Sequence, residues 1–414
     1  FSRDGKSLFV LSNIGRDTLA LGLFDIQRGK LIQTLFAHPD VDVSGLVYSK
    51  SAQRLVAAIY TTDQTYYRYF IPQRARLERS ISKLFNGYAT NITFNDDGGS
   101  ALVVAANDKN PGRYYHYDAD KKELRELFRV NEALPEDQLS STKSIALRAR
   151  DNVTLQGYLT VPETEKPNGA MLIMVHGGPH SVRNYWGFNP DVQFLVSRGY
   201  SVLQLNFRGS WGFGRKFERS GWHEWNAAIQ DDIADAAMWA IKEGLAKEDK
   251  VCLFGASFGG YSAIMSLAKY PELYSCAISF AGVSDLHKLY DQSQSDNDMV
   301  RQWLDAVVGR GKASNLTNAS PLNYVSDIES PILIAHGERD AVVSVEQTKK
   351  LEEELVRLGK QYSSVYYSDE NHQLESVENR IDFFNRVAAF LHERLFGLTS
   401  SGLVPPNFAI SALD

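Results

Sequence analysis

Val251-Cys-Leu-Phe-Gly-Ala-Ser-Phe-Gly-Gly260 decides how the second half of the chain is read. Val251 to Phe254 is a short, continuous apolar run, as a strand buried on both faces should be. Phe258 to Tyr270 follows as a helical pattern, with Ile264, Leu267 and Ala268 on one face. Between them Gly255 to Gly259 spells G-x-S-x-G, in the strand–turn–helix setting that a nucleophile elbow requires. A turn sharp enough to lift Ser257 into a strained backbone geometry leaves no room for Cβ atoms beside it, which is the steric reason for the glycines. The bland alternative is an ordinary glycine-rich turn; the position between strand and helix favours the elbow.

The same grammar extends outward. Ala170–Val175, Ser201–Leu205, Cys276–Phe280, Ile332–Ala335 and Ser364–Tyr367 read as short strands, and Asp231–Glu243, Glu346–Leu358 and Val377–Leu395 as helices. Strand–helix alternation over this length predicts a doubly wound α/β domain, whose functional groups collect in loops at the carboxyl ends of its strands.

A serine hydroxyl becomes a useful nucleophile only beside a base, and the base needs an orienting acid. In the order Ser, acid, His, the candidates are Asp340, in His336-Gly-Glu-Arg-Asp340 after a strand, and His372, in Ser368-Asp-Glu-Asn-His372, 32 residues later. Glu338, Asp369 and Glu370 compete for the acid. His336 and His176 open their own motifs and read as local hydrogen-bonding groups. His38 and His116 lie far upstream, and His392 sits near a helix end, where a cation suits the dipole. His176-Gly-Gly-Pro179 follows a strand as an H-G-G loop, whose backbone N–H would join that of Phe258 against a developing oxyanion.

The first 130 residues or so repeat themselves. Phe1-Ser-Arg-Asp-Gly-Lys-Ser-Leu-Phe-Val returns 46 residues later as Val47-Tyr-Ser-Lys-Ser-Ala-Gln-Arg-Leu-Val, and after another 47 as Phe94-Asn-Asp-Asp-Gly-Gly-Ser-Ala-Leu-Val. Each copy is a bulky residue, a polar turn such as Asp96–Gly99, and a β-rich run such as Leu55–Tyr60 or Ala101–Ala105; Tyr66–Ile71 and Tyr114–Tyr117 are further strand-like stretches. Short strands at this period read as β-propeller blades, about three of them, against the four to eight of a closed ring. The first copy lacks its opening strand, so the stretch reads as the tail end of a propeller. Unrelated hairpins in a sandwich are the weaker alternative.

Composition narrows the classes. The 414 residues are 43% hydrophobic and 23% charged, which excludes a disordered or collagen-like chain. No run approaches the roughly 20 apolar residues of a membrane span. Lys and Arg total 44 against 50 acidic residues, a net charge of −6 with no basic block, so nucleic acid is not an expected partner. The spacing of Cys and His fits no zinc site, and Cys252 and Cys276 read as buried free thiols in core strands. Trp222, Trp225 and Trp239 read as packing residues.

With these motifs in view, the chain from about residue 144 to 396 resembles the prolyl oligopeptidase family of serine peptidases, particularly its acylaminoacyl-peptidase and dipeptidyl-aminopeptidase-like branch. Arg148-Ala-Arg-Asp151, Leu155-Gln-Gly-Tyr-Leu-Thr-Val-Pro162, His176-Gly-Gly-Pro-His180, Asn206-Phe-Arg-Gly-Ser-Trp-Gly-Phe-Gly214, the elbow, and His336–Asp340 carry the likeness. It implies an α/β-hydrolase domain preceded by a β-propeller, a triad of Ser257, Asp340 and His372, an oxyanion hole from the N–H groups of Gly178 and Phe258, and no metal or other cofactor. Family members more often have Tyr where Phe258 stands. Their propellers usually close and cap the active site, which a partial one cannot do.

The expected organisation is a partial propeller over 1–135, a catalytic domain over 144–396 and a tail over 397–414. The expected activity is serine hydrolysis of amide or ester bonds in small peptides or acyl substrates, with a carboxylesterase as the alternative and a non-catalytic propeller module as the third reading. Arg208 and Trp211 are candidates for lining the pocket, with a structural role in their loop equally open. Exposed strand edges predict a homo-oligomer through the N-terminal part. The expected compartment is the cytoplasm, although any targeting signal would precede Phe1.

Overall fold

The computed structural model describes residues 1–95, 98–163, 168–294, 298–309 and 313–397. Asp96 and Asp97 of the repeat turn, and the expected tail from residue 398 onward, lie outside the described residues. Two compact units divide the chain. One comprises Phe1–Thr142 with Tyr185–Gln193 and Trp211–Glu218; the other comprises Lys143–Asn184, Phe194–Ser210 and the chain from Arg219 onward.

The first unit is built from antiparallel meanders. β1 (Ser7–Ser12), β2 (Ala20–Asp25) and β3 (Lys30–Phe36) form one sheet, β4 (Val43–Ser49), β5 (Arg54–Thr61) and β6 (Thr65–Tyr69) a second. β7 (Ala89–Phe94), β8 (Ser100–Ala106), β9 (Arg113–Asp118) and β10 (Glu123–Arg129) form a third, four-stranded sheet. Neighbours in the sheets are neighbours in sequence, because short polar turns allow nothing but hairpins. The β-rich runs of the repeat lie in β5 and β8. Leu21, Val43 and Ala58 make one buried cluster, and Ile81, Ile92, Val103 and Tyr117 another.

The expected strand Tyr66–Ile71 stops early, because Ile71 caps an unforeseen helix, Pro72–Ser82. Proline is well suited to a first helical turn, where its missing N–H would have had no partner. The helix buries Ala75, Glu78 and Ile81, and the Glu78 carboxylate accepts from Tyr69 Oη at 2.5 Å and from Arg74.

The second unit holds an eight-stranded sheet of β11 (Thr142–Arg148), β12 (Thr154–Thr160), β13 (Met171–Val175), β14 (Ser201–Asn206), β15 (Val251–Ala256), β16 (Cys276–Phe280), β17 (Ile332–Gly337) and β18 (Tyr362–Tyr367). Their order is β11-β12-β14-β13-β15-β16-β17-β18. β12 pairs antiparallel with β14, while β14, β13, β15, β16, β17 and β18 run parallel. The strand order reverses at β13, which lies between β14 and β15. Loops leaving β13 and β15 therefore diverge to opposite faces and open a crevice at their carboxyl ends. The elbow follows β15 and the His176 loop follows β13, so the topology alone puts both at that crevice.

β12 escapes a periodicity reading because Gly157 interrupts its apolar run. A Cβ there would sit 2.6 Å from Gln204 O of β14. The reading of Cys252 and Cys276 as free thiols is corrected. They are in-register partners on β15 and β16, with Cα atoms 4.8 Å apart, and form a disulfide. Only the pairing of two strands 24 residues apart brings the sulfurs together. Disulfides persist in oxidising compartments, so the cysteines lend no support to the cytoplasmic expectation. Among the described residues no helix is long and apolar enough to cross a membrane.

Candidate active site

Ser257 stands between β15 and the helix Phe258–Lys269 with φ 57° and ψ −120°, a conformation costing a non-glycine residue about 1–3 kcal/mol. Two backbone bonds hold it there: its N–H donates to Phe280 O at 2.9 Å, and its C=O accepts from Tyr261 N–H at 2.9 Å. The glycines around it are sites of close approach. A Cβ on Gly255 would fall 2.7 Å from Gly259 Cα, and one on Gly259 would collide with Val175 O. The helix can thus pack directly against the ends of β13 and β15, with the serine at its N-terminus.

Asp340 and His372 are brought together. His372 Nδ1 lies 2.7 Å from Asp340 Oδ2, and since a carboxylate only accepts, Nδ1 carries the proton and Nε2 is left as the basic nitrogen. Asp340 follows β17 and His372 follows β18, two and three strands across the sheet from β15. The N–H groups of Val342 and Val343 both donate to Asp340 Oδ1 at 2.8 Å. Burial pushes the Asp340 carboxyl up, but hydrogen bonds from His336, His372 and Val343 outweigh it and hold the group far below the usual carboxylate range.

Two of the three rival acids, Glu370 and Asp369, are otherwise engaged. Glu370 is buried and accepts from the N–H groups of Glu375 (2.7 Å) and Ser376 (3.0 Å) and from Asn379 Nδ2 (2.8 Å), closing the loop that carries His372. Asp369 pairs with Arg339 at the surface.

The H-G-G loop lies against the elbow. A Cβ on Gly177 would sit 3.6 Å from Ser257 Cβ, and Gly178 has φ 114°, which only glycine adopts readily. His176 Nδ1 donates to Gly177 O at 2.7 Å and its Nε2 accepts from Ser210 Oγ at 2.8 Å. The C=O and N–H of a trans peptide point in opposite directions, so tying down the Gly177 carbonyl also orients the Gly178 N–H. Among the described residues neither the Gly178 nor the Phe258 N–H has an acceptor within the chain. The Phe258 ring packs with Trp225 (4.8 Å between centroids), Tyr261 (5.2 Å) and Phe207 (5.7 Å), a setting that asks for no hydroxyl.

Against known proteins, the sequence profile of the prolyl oligopeptidase family matches residues 186–397. The chain is also 30% identical over 410 residues to dipeptidyl aminopeptidase BIII of Pseudoxanthomonas mexicana, covering 95% of this chain and 59% of that protein. The chain belongs to the prolyl oligopeptidase family. Dipeptidyl peptidase family member 6 of Caenorhabditis elegans is 25% identical, over 96% of the chain and 58% of its own length. The chain thus spans about three-fifths of the length of these curated relatives. Among solved structures, a puromycin-hydrolyzing peptidase of Mycobacterium tuberculosis superposes with a TM-score of 0.81 at 20% identity, covering 95% of this chain and 61% of that one. Likeness at that identity speaks to the fold alone: an α/β-hydrolase sheet with an N-terminal β-sheet region.

The two candidate pocket residues fall in different units. Arg208 is buried, and its guanidinium is spent on two carboxylates: Nε and Nη2 bond Asp232 at 2.8 and 2.6 Å, while Nη1 bonds Asp151 at 2.8 Å. That pairing with two carboxylates favours the structural of its two open readings. Trp211 belongs to the first unit, in the segment Trp211–Glu218, where Asp42 N–H donates to Gly212 O at 2.9 Å and Asp17 Oδ1 accepts from Lys216 N–H at 2.8 Å.

What sequence reading missed in this prolyl oligopeptidase relative is the support around the site. Ser210 holds His176, Trp225 donates to His180 Nε2 at 3.4 Å, and His336 reaches toward Asp340. Of these, His176 and His336 carried a signal, each opening a strand-end motif that reads as local hydrogen bonding.

Proposed function

We propose that the chain is the catalytic part of a serine peptidase that hydrolyses amide bonds of small peptides or aminoacyl substrates, with Ser257 as nucleophile, His372 as base and Asp340 as orienting acid. The observation that carries the reading is the 2.7 Å bond from His372 Nδ1 to Asp340, at the same sheet edge that presents Ser257. Ser257 Oγ attacks the carbonyl carbon while its proton passes to His372 Nε2. The oxyanion is received by the N–H groups of Gly178 and Phe258, each worth about 3–4 kcal/mol to the transition state. His372 then protonates the leaving amine nitrogen as the C–N bond breaks. Water attacks the acyl carbon and gives a proton to His372, which passes it to Ser257 Oγ as the C–Oγ bond breaks and the carboxylic acid leaves.

The names of the relatives, dipeptidyl aminopeptidase, acylamino-acid-releasing enzyme and puromycin hydrolase, support an amide at or near a blocked or free N-terminus. The three sheets of the first unit read as about three propeller blades. Their edge strands β3 and β10 expose Ile32, Leu127 and Phe128, which supports pairing between two copies of the chain.

The deciding experiment treats the protein with a fluorophosphonate and compares turnover of aminoacyl p-nitroanilides with short-chain p-nitrophenyl esters. Labelling lost in Ser257→Ala together with anilide turnover is the expected result. Turnover of esters alone makes the protein a carboxylesterase, and absence of labelling in folded protein leaves only a binding module. Light scattering should give a dimer or larger; a monodisperse monomer removes the pairing proposal.

A further inference from the structure

We propose that His336 is a positioning residue for the acid of the triad: a buried imidazole that grips the turn carrying Asp340 and presents an N–H to the carboxylate oxygen that His372 uses. The inference rests on the triad reading above. His336 is wholly buried at the end of β17. Its Nε2 lies 2.8 Å from Val343 O and its Nδ1 lies 2.7 Å from Thr348 Oγ1. A carbonyl only accepts, so Nε2 carries the proton, and the neutral ring's Nδ1 accepts from the threonine hydroxyl. The N–H is aimed at Val343 O, and Nε2 lies 3.2 Å from Asp340 Oδ2.

Val343 is consequently held from two directions. Its C=O is bound by His336, and its N–H donates to Asp340 Oδ1. On the carboxylate itself, Oδ1 faces two backbone N–H groups while Oδ2 faces two imidazoles, His372 at 2.7 Å and His336 at 3.2 Å. The other charged groups nearby are Lys288, Asp291 and Lys350, which with Asp340 line an open depression; Lys350 is paired with Asp285 at 2.9 Å and Lys288 with Glu346 at 3.7 Å. Among the described residues, none of these three groups is hydrogen-bonded or ion-paired to Asp340.

The physical consequence concerns the base. The Nε2–H, directed at Val343 O with its nitrogen 3.2 Å from Oδ2, draws negative charge from the oxygen that stabilises the His372 imidazolium. Removing that donor leaves the carboxylate a stronger partner, so His372 should hold its proton to higher pH. The shift expected is about one pH unit, the size of one hydrogen bond to a charged group.

The test is the pH dependence of kcat/KM for an aminoacyl p-nitroanilide, measured on the 414-residue chain with two substitutions. His336→Gln can place an amide N–H where Nε2 lies, whereas His336→Asn reaches only the Nδ1 position. The acid limb should rise by about one unit in His336→Asn and stay near that of the parent protein in His336→Gln. A lower kcat with the limb unmoved in both would reduce His336 to a packing residue and overturn the proposal. Should His336→Asn fail to fold, nitrogen NMR of histidine-labelled parent protein decides, the His336 ring being assigned by its loss in His336→Gln. A neutral ring protonated at Nε2 throughout the acid limb upholds the proposal, and protonation at Nδ1 overturns it. An acid limb that survives in His372→Gln would overturn the triad reading instead, and this inference with it.

Discussion

Asp340 Oδ2 and His372 Nδ1 are joined by a 2.7 Å hydrogen bond across the ends of neighbouring strands β17 and β18. The carboxylate selects one imidazole tautomer. Asp340→Asn can offer an N–H at the same place and so select the wrong one. The expected outcome is a loss of about 10³–10⁴-fold in kcat with the fold retained, read from anilide kinetics beside a circular dichroism melt. Loss of less than tenfold would mean another acid orients the base.

Gly259 tests the elbow. With Val175 O where its Cβ would go, Gly259→Ala must push the helix Phe258–Lys269 off the sheet. Overpacking of this kind costs about 1–3 kcal/mol, more where the obstacle is backbone. We expect a lower thermal midpoint and loss of fluorophosphonate labelling; a variant with parental stability and labelling would contradict the geometry.

Stability should fall on mild acidification. His180 is 3% exposed, with Nδ1 donating to Gly209 O at 3.2 Å, and burial pushes its pKa down from 6.5 to about 4. Burial does the same to His176, also to about 4. Between these values the unfolded chain binds the protons and the folded chain does not. The stabilisation is therefore complete above about pH 6.5 and is lost as pH falls toward 4, by about 1 kcal/mol per pH unit for His180. Urea midpoints between pH 7 and 4.5 should show this decline, with a shallower slope in His180→Gln. A midpoint that rises on acidification would refute it.

The disulfide predicts a reductant effect. Opening a loop closed by Cys252 and Cys276, 24 residues apart, should cost about 3 kcal/mol through the unfolded chain. Denaturant midpoints should drop in the presence of dithiothreitol, and thiol titration of unreduced, unfolded protein should find none. Two titratable thiols in that titration would restore the free-thiol reading.

Arg208 offers a contrast between structure and substrate binding. Asp232 is 0% exposed, and Arg208→Ala would strand its charge in the interior, at a cost of about 3–5 kcal/mol. The expected signature is a large stability loss with KM for the anilide little changed in protein that remains folded. A raised KM at unaltered stability would return Arg208 to the pocket.

Strong periodicity and local turn chemistry were legible along the chain. The buried strands, the helices after β15 and β17, the elbow and the order Ser257, Asp340, His372 all follow from neighbours within a few positions of one another, where propensity and sterics act. Gly157 in β12 and the Pro72–Ser82 helix show the limit of that reach, because a glycine demanded by the next strand reads as a break and a strand-rich context hides a helix start. The tertiary structure decided which groups meet. Strand order alone pairs Cys252 with Cys276, closes Arg208 onto Asp151 and Asp232, and turns Glu370 inward to bind its loop while Asp340 faces His372. His336 owes its place to both: the strand-end motif puts it four residues before the acid, and the packing of Thr348 and Val343 aims its ring. Hydrogen bonds and ion pairs extend only about 3 Å, so partners far apart in sequence stay unreadable until the sheet brings them within range.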